Sequence, residues 1–169
     1  MSILDSPELE TVYLHPGELC ISEGPSRVVT VLGSCVSVTM FNPRLKIGAI
    51  CHTTLPNCRS KVKCETICVE AFKYMDCAFK YMIKNFRERG IMNEEIEIKI
   101  FGGADTLKSK SSNTIGSKNV HSALHLIKKE HIKLIAADVG DSFGRKLVFF
   151  SHTGEVFLKR LKNGNIGGR

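Results

Sequence analysis

The sequence has no apolar run that approaches the ~20 residues needed to cross a bilayer. Residues 1–24, MSILDSPELETVYLHPGELCISEG, carry acidic side chains and lack the apolar core of a secretory signal peptide. These absences predict a cytoplasmic protein without membrane insertion. In that compartment the seven cysteines are expected to be reduced thiols, and their odd number argues against a complete disulfide framework.

The chain also lacks low-complexity tracts and internal repeats. Its 169 residues suit one domain of ordinary size, which can bury roughly 70% of the surface that the unfolded chain exposes. Hydrophobic residues make up 43% of the sequence and charged residues 24%, as in globular proteins. We therefore expect a single domain over residues 1–169, with flexible ends at about 1–9 and 162–169.

Aromatic side chains do not accompany the basic residues. The formal net charge is +7, but lysine and arginine fall in short, scattered runs, at 59–63, 108–110, 128–129 and 159–160. A site for single-stranded nucleic acid would interleave such runs with aromatic residues that stack on bases. The pattern argues against a nucleic-acid partner and leaves two interpretations, a solvated basic surface or attraction to an acidic protein partner.

Signatures of metal and nucleotide sites are missing as well. Five cysteines between residues 51 and 77 do not form paired C-x₂-C motifs. They are Cys51, Cys58, Cys64, Cys68 and Cys77. His121 and His125 are four residues apart on a predicted helix, but even with His131 nearby no third ligand is evident. Gly102-Gly103 lacks the following Gly-Lys-Ser/Thr of a phosphate loop and predicts a tight strand exit instead. We expect no metal and no cofactor.

Hydrophobic periodicity predicts many strands and two or three helices. The predicted strands are 10–14, 28–32, 35–41, 45–54, 95–101, 133–137, 146–151 and 155–161. Apolar spacings of three and four predict a helix over 64–89, followed by Gly90, and a second helix over about 118–130. Ser117 and Asn119 are expected to cap the second helix, after a surface loop over 104–116. Hairpin connections at both ends favour an α+β fold over a doubly wound α/β fold.

Two residues of chemical interest lie in the stretch TVLGSCVSVTMFNPRLKIGAICH, residues 30–52. The turn at 42–44 would pair its flanking strands so that Cys35 and His52 meet at the open end of one hairpin. Cleavage of an amide or ester through a thiol needs a nucleophile, a base and donors for the oxyanion. Spacing alone favours a buried core thiol beside a surface histidine, and it leaves a catalytic pair open.

Neighbouring residues could complete such a site. Thr30, on the preceding strand, is a candidate for holding the imidazole of His52 in one tautomer. Gly33 permits a sharp turn before the cysteine. That turn would leave the N–H groups of Ser34 and Cys35 without strand partners and available to bind an oxyanion.

Four blocks of sequence carry a more specific signal. They are TVLGSCVSVTMFNPRLKIGAICHTTLP at 30–56, IKIFGGADTL at 98–107, NTIGSKNVHSAL at 113–124 and IAADVGDSFGRKLVFFSHTGEVFLKRL at 135–161. In this order they resemble the CheD family, the chemoreceptor glutamine deamidases of bacterial and archaeal chemotaxis. The resemblance extends over roughly residues 12–161.

The resemblance implies a site and a fold. It implies that Cys35 is the nucleophile, His52 the general base and Thr30 the third catalytic group, with no metal or nucleotide. It also implies stacked, largely antiparallel β-sheets flanked by two or three helices, as in the catalytic domain of cytotoxic necrotizing factor toxins. The chain departs from the family at Gly140-Asp141, where two glycines are usual, so a positive φ at Asp141 would be strained.

The implied activity is that of a protein glutamine glutaminase. Such an enzyme hydrolyses selected glutamine side-chain amides in the cytoplasmic domains of methyl-accepting chemotaxis proteins, giving glutamate and ammonia. The resemblance also implies a second partner, CheC, a phosphatase of the response regulator CheY. Two other functions stay open at this point, a non-catalytic module that regulates CheC and a cysteine hydrolase of another amide.

Overall fold

The computed structural model describes residues 8–59, 70–107 and 111–162, which contain two α-helices and nine strands in two sheets. The four-stranded sheet has the spatial order β1 (Glu10–Tyr13), β3 (Ser26–Leu32), β8 (Gly144–Phe150) and β9 (Val156–Leu161). The five-stranded sheet has the order β2 (Leu19–Ser22), β5 (Ile47–Cys51), β4 (Val36–Asn42), β6 (Glu97–Gly102) and β7 (Lys133–Val139).

Both sheets are mixed, with antiparallel pairs in the majority. The β1–β3 and β6–β7 pairs are parallel, and all other strand pairs of the described residues are antiparallel. The prediction of an α+β fold is therefore confirmed.

The elements form three layers. Helices α1 (Met75–Glu88) and α2 (Ile115–Lys129) pack on one face of the five-stranded sheet, in a core that joins Phe79 and Ile127 to Ile98. The four-stranded sheet covers the other face, where Val28 of β3 packs against Ile50 of β5. Because layers lie on both sides of the five-stranded sheet, every residue of its strands β4 and β5 is buried.

The first helix is shorter than predicted. Residues 71–73 form a single 3₁₀ turn, and Tyr74 is extended, with ψ of 129°, before α1 begins at Met75. The predicted helical residues 64–69 lie outside the described residues. Gly90 follows α1 with φ of 72°, as its predicted place after the helix requires. No helix in the described ranges has the length and hydropathy of a membrane span.

The second helix begins three residues earlier than predicted. Thr114 is its N-cap, and the Thr114 hydroxyl accepts a hydrogen bond from the Ser117 N–H at 3.2 Å. The prediction that Ser117 and Asn119 cap this helix is therefore wrong, because both lie inside it. The side chain of Asn119 is directed instead into the protein interior.

The loop after β7 contains the expected positive φ. Asp141 has φ of 64°, in the left-handed region that glycine occupies most easily. Its Oδ1 accepts a hydrogen bond from the N–H of Ser142 at 2.8 Å. Aspartate is among the residues that tolerate this conformation, because its short side chain can bond to the local backbone.

Candidate active site

Thr30 lies in the middle of β3 and points between the two sheets. Alternate side chains of this strand are buried, so Val28, Thr30 and Leu32 face inward. Thr30 is only 3% exposed, and its Oγ1 lies 2.7 Å from Nδ1 of His52, which is 2% exposed. The structure therefore brings together two of the residues that the sequence singled out.

The hydrogen-bond pattern assigns one tautomer to His52. The Thr30 hydroxyl donates its single proton to the carbonyl oxygen of Leu14, at 2.8 Å. With that proton used, the Thr30 oxygen accepts a hydrogen bond from Nδ1–H of His52, so the arrangement favours the tautomer with its proton on Nδ1. The lone pair is then on Nε2, which is buried and has no hydrogen-bond partner among the described residues.

The strand register places Cys35 beside His52. Val36 and Thr53 form an antiparallel bridge with paired backbone hydrogen bonds of 3.0 Å, in the register of the β4–β5 ladder. Because side chains alternate along a strand, Cys35 and His52 lie on the same face and are diagonal neighbours. Cys35 is half-buried and packs beside Leu32. No hydrogen bond joins its sulfur to Nε2 in this structure.

The turn that carries Cys35 is held through its carbonyl groups. The oxygens of Gly33, Ser34 and Cys35 accept hydrogen bonds from Ala104 N–H at 3.0 Å, Asn119 Nδ2 at 3.1 Å and Gly103 N–H at 2.8 Å. Within the described part of the chain, the Ser34 N–H has no acceptor and the Cys35 N–H contacts only its own sulfur. Neither of these two N–H groups therefore has a backbone partner among the described residues.

Glycine is required where β6 passes this turn. A Cβ atom on Gly102 would lie 2.2 Å from the carbonyl oxygen of Cys35, and its φ is 105°. Gly116 has the same role in α2, because its Cβ would lie 2.6 Å from the carbonyl oxygens of Gly103 and Ala104. Gly102 therefore allows β6 to approach the cysteine turn at backbone distance, and Gly116 allows α2 to approach the segment that follows β6.

Burial shifts the pKa values of Cys35 and His52 in opposite directions, and each shift favours the neutral form. Burial raises the pKa of the Cys35 thiol above its ordinary value. Burial also lowers the pKa of His52 to about 4, against the smaller opposing effect of the nearby Leu14 carbonyl. Both shifts favour the neutral thiol and the neutral imidazole in the free protein.

The segment between β1 and β2 completes the surroundings of His52. The backbone carbonyl oxygen of Glu18 accepts a hydrogen bond from the backbone N–H of His52 at 2.9 Å. The backbone N–H of Gly17 donates to the carbonyl oxygen of His52 at 2.8 Å. The carbonyl of Leu14 accepts from Thr30, as described above. Local sequence pattern does not predict these contacts, because each involves a backbone atom and joins segments that are distant in the chain.

A groove of about 400 Å³ adjoins the cysteine turn. It is lined by residues that include Gly103, Asp105, Thr114, Ser117 and His121. Gly103, whose N–H holds the Cys35 carbonyl, connects the groove to the turn. Among the residues that the structure describes, no group of three or more histidine, cysteine, aspartate or glutamate side chains could hold a metal ion.

Fold and geometry together define the class of this protein. It is an α+β protein in which a threonine and a histidine are in hydrogen-bond contact between two sheets, with a half-buried cysteine on the same face of the neighbouring strand. Comparison with known proteins specifies the family. The family model described as CheD chemotactic sensory transduction matches residues 55–160.

Three curated relatives extend the match over most of the chain. The relative from Geobacter sulfurreducens, "Probable chemoreceptor glutamine deamidase CheD 2", is 44% identical over 92% of each chain. A CheD from Maridesulfovibrio salexigens is 37% identical over 92% of this chain and 94% of its own. A CheD 1 from Methanosarcina acetivorans is 33% identical over 91% and 94%. The chain therefore belongs to the CheD family.

Proposed function

We propose that the chain hydrolyses selected glutamine side chains in the cytoplasmic domains of chemoreceptors, giving glutamate and ammonia. The names of its relatives, which describe chemoreceptor glutamine deamidases, support this substrate. One structural observation carries the proposal. Thr30 Oγ1 lies 2.7 Å from Nδ1 of His52 and 2.8 Å from the Leu14 carbonyl oxygen, while the buried Nε2 has no hydrogen-bond partner among the described residues, an arrangement that favours a proton on Nδ1 and a lone pair on Nε2.

The proposed reaction begins with a proton transfer. Nε2 of His52 takes the Cys35 proton as the sulfur attacks the carbon of the glutamine amide. The N–H groups of Ser34 and Cys35 stabilise the oxyanion of the tetrahedral intermediate. His52 then gives the proton to the leaving ammonia, and a thioester remains on Cys35. Water, deprotonated by His52, hydrolyses the thioester and releases glutamate.

The shifted pKa values indicate when the thiolate forms. A thiolate–imidazolium pair in the resting enzyme is disfavoured, since burial opposes the charged form of both residues. We therefore infer that the proton moves during the attack, when the developing charge on the substrate oxygen is stabilised by the N–H groups. His52 then acts as a general base, as in serine hydrolases.

The experiment that tests this function is deamidation of a purified chemoreceptor cytoplasmic fragment encoded in the same genome. Mass spectrometry follows the conversion of glutamine to glutamate in its peptides. Wild-type protein should convert specific glutamines, whereas Cys35→Ala should lose this activity, by a factor of about 10³ or more.

Cys58→Ser is the matched control, because Cys58 is a half-buried thiol outside the site. It should deamidate at a rate within about twofold of wild type, as for a surface change. Deamidation by Cys35→Ala at the wild-type rate would show that the thiol is not the nucleophile.

A further inference from the structure

Asn119 connects α2 to the segments that carry Cys35 and His52. Its side chain is completely buried. The amide nitrogen Nδ2 donates one hydrogen bond to the carbonyl oxygen of Ser34, at 3.1 Å, and the other to the carbonyl oxygen of Thr54, at 3.0 Å. Ser34 precedes Cys35 directly, and Thr54 follows His52 by two residues.

We propose that Asn119 is a positioning residue, which sets the separation of Cys35 and His52 by holding the carbonyl groups of Ser34 and Thr54 together. Its effect on catalysis rests on the function proposed above. Its effect on the cysteine turn can be measured without the receptor.

The two hydrogen bonds from Asn119 to the carbonyl oxygens of Ser34 and Thr54 are called the clamp below. The position of the clamp in the ladder supports this role. The bridge between Val36 and Thr53 is the last backbone pairing between the two strands before the site. In this register Cys35 and Thr54 are a non-hydrogen-bonded pair, and the next hydrogen-bonded pair would be Ser34 with Leu55. That pair does not form, because the Leu55 N–H donates to the Lys73 carbonyl oxygen and the Ser34 carbonyl oxygen accepts from Asn119. The side-chain amide of Asn119 therefore replaces backbone pairing at the point where the nucleophile and the base must keep a fixed distance.

The orientation of the amide follows from its partners. Both neighbours are carbonyl oxygens, so the donor nitrogen must face them and Oδ1 must point away. Oδ1 is then buried without a hydrogen-bond partner in the described residues. Asparagine is also a weak helix former in a helix interior. A residue selected only to dock α2 would avoid an unpaired buried oxygen and a low helix propensity. We therefore assign the amide a positioning role.

Ser122 provides an internal comparison. It lies almost one turn further along α2, and its hydroxyl donates to the carbonyl oxygen of Pro56 at 2.8 Å. Like Asn119, it ties α2 to the segment after His52, but it does not contact Ser34 or Thr54. A loss of helix docking alone should therefore affect Ser122→Ala and Asn119→Ala alike.

The test compares Asn119→Ala with Ser122→Ala in the full chain. The first measurement is alkylation of Cys35 by iodoacetamide, which carries the same primary amide as a glutamine side chain, with each cysteine resolved by peptide mapping. Asn119→Ala should slow alkylation at Cys35 by about tenfold, as expected when a reacting group is misplaced. Ser122→Ala should stay within about twofold of wild type, as for a contact outside the site.

The second measurement is the kinetics of receptor-fragment deamidation, with thermal unfolding recorded in parallel. Asn119→Ala should lower kcat by about tenfold or more and leave KM within about twofold, because the reacting geometry and not binding is changed. If Asn119→Ala does not fold, Asn119→Ser replaces it, since its hydroxyl is too short to bridge both carbonyls. The same losses are expected for the serine variant.

The outcomes separate this proposal from the proposed function. If Asn119→Ala and Ser122→Ala change Cys35 alkylation and kcat equally, the clamp is wrong while the deamidase function stands. If wild type does not deamidate the receptor fragment but Asn119→Ala alone slows alkylation at Cys35, the clamp stands and the function is wrong. Unchanged alkylation and unchanged kcat in folded Asn119→Ala would also overturn the clamp.

Discussion

Thr30 offers a test of the site at the scale of a single residue, because valine has nearly the same shape and lacks only the hydroxyl. Thr30→Val removes the acceptor for the Nδ1 proton of His52 and the donor to the Leu14 carbonyl. The imidazole then loses its fixed tautomer and orientation. We expect kcat for deamidation to fall by about 100-fold or more, the range seen when a catalytic histidine loses its orienting group.

Thr53→Val is the control for this substitution. Thr53 is a buried threonine next to His52, and its hydroxyl donates to the Val36 carbonyl oxygen at 3.0 Å. That oxygen also accepts the Thr53 N–H, so the valine variant leaves it satisfied. Its kcat should stay within about twofold of wild type, as for a change that touches no reacting group. A loss as large as that of Thr30→Val would contradict the role of the Thr30 hydroxyl.

The sequence predicted some residues of the site better than others. Cys35, His52 and Thr30 could be singled out because thiol, imidazole and hydroxyl have recognisable chemistry and lie within one stretch of 23 residues, 30–52. Asn119 was misassigned as a helix cap, since asparagine near a helix start suits that role. Its actual partner Ser34 is 85 positions away, and such a contact depends on tertiary packing that local pattern does not contain.

At the scale of elements, the approach of β6 to the cysteine turn depends on one glycine. In Gly102→Ala, the new Cβ would lie 2.2 Å from the Cys35 carbonyl oxygen, at a φ of 105°. The backbone on one side must move, because the shortest contact is with a backbone oxygen and not with the end of a flexible side chain. We expect the free energy of unfolding to fall by about 3 kcal/mol or more, together with lower kcat, as checked by urea denaturation and the deamidation assay.

Gly90→Ala isolates the cost of the backbone conformation. Gly90 also has a positive φ, 72°, but a Cβ there would meet no atom within 4 Å. Its substitution should cost about 1–2 kcal/mol from strain alone and leave kcat unchanged. Equal losses of stability and activity in the two variants would show that the close approach of β6 does not position Cys35.

The start of the first helix shows that apolar periodicity alone does not determine where a helix begins. The apolar periodicity of the predicted first helix continues through 70–74, yet Tyr74 is extended and pairs with Leu55 as an isolated bridge. Hydrogen bonds from Thr54 and Leu55 to the Lys73 carbonyl oxygen, at 2.8 and 2.9 Å, hold this segment against the strand exit. Tertiary contacts therefore override the helical preference of these residues. The short strand β2 was missed for a related reason, since four residues contain little alternation.

At the scale of the whole molecule, the burial of His52 couples its protonation to stability. The pKa of His52 is lowered from 6.5 to about 4 by burial, so the folded protein binds this proton less readily than the unfolded chain. The contribution of His52 to the free energy of unfolding is therefore fully present above about pH 6.5, and it decreases as the pH falls toward 4. The loss is at most about 3 kcal/mol, and urea denaturation from pH 7 to pH 4.5 measures it.

His52→Gln is the reference for this pH dependence. Other groups titrate in both proteins, so the contribution of His52 is the difference between the two pH profiles. The wild-type free energy of unfolding should fall more steeply below pH 6.5 than that of His52→Gln. Parallel profiles would show that His52 is not buried as a neutral imidazole.

The fold class could be predicted from the sequence, but the sheet order could not. Hairpin-connected strands at both ends indicated α+β correctly. The two parallel pairs, β1 with β3 and β6 with β7, join strands that are separated by other elements, and their register depends on packing between layers. The candidate site lies between the two sheets. Its residue types could therefore be predicted from the sequence, but their arrangement depends on how the sheets pack.

The proposed reaction depends on Nε2 of His52 acting as the base for the Cys35 thiol. Alkylation by iodoacetamide at pH 7 tests it most directly, in wild type and His52→Gln, with the half-buried Cys58 as reference. Because burial raises the pKa of Cys35, this thiol should react slowly unless a base assists it. We expect Cys35 in wild type to react at least about tenfold faster than Cys58, and in His52→Gln no faster than Cys58. A Cys35 rate that does not change in His52→Gln, or that never exceeds the Cys58 rate, would contradict the account.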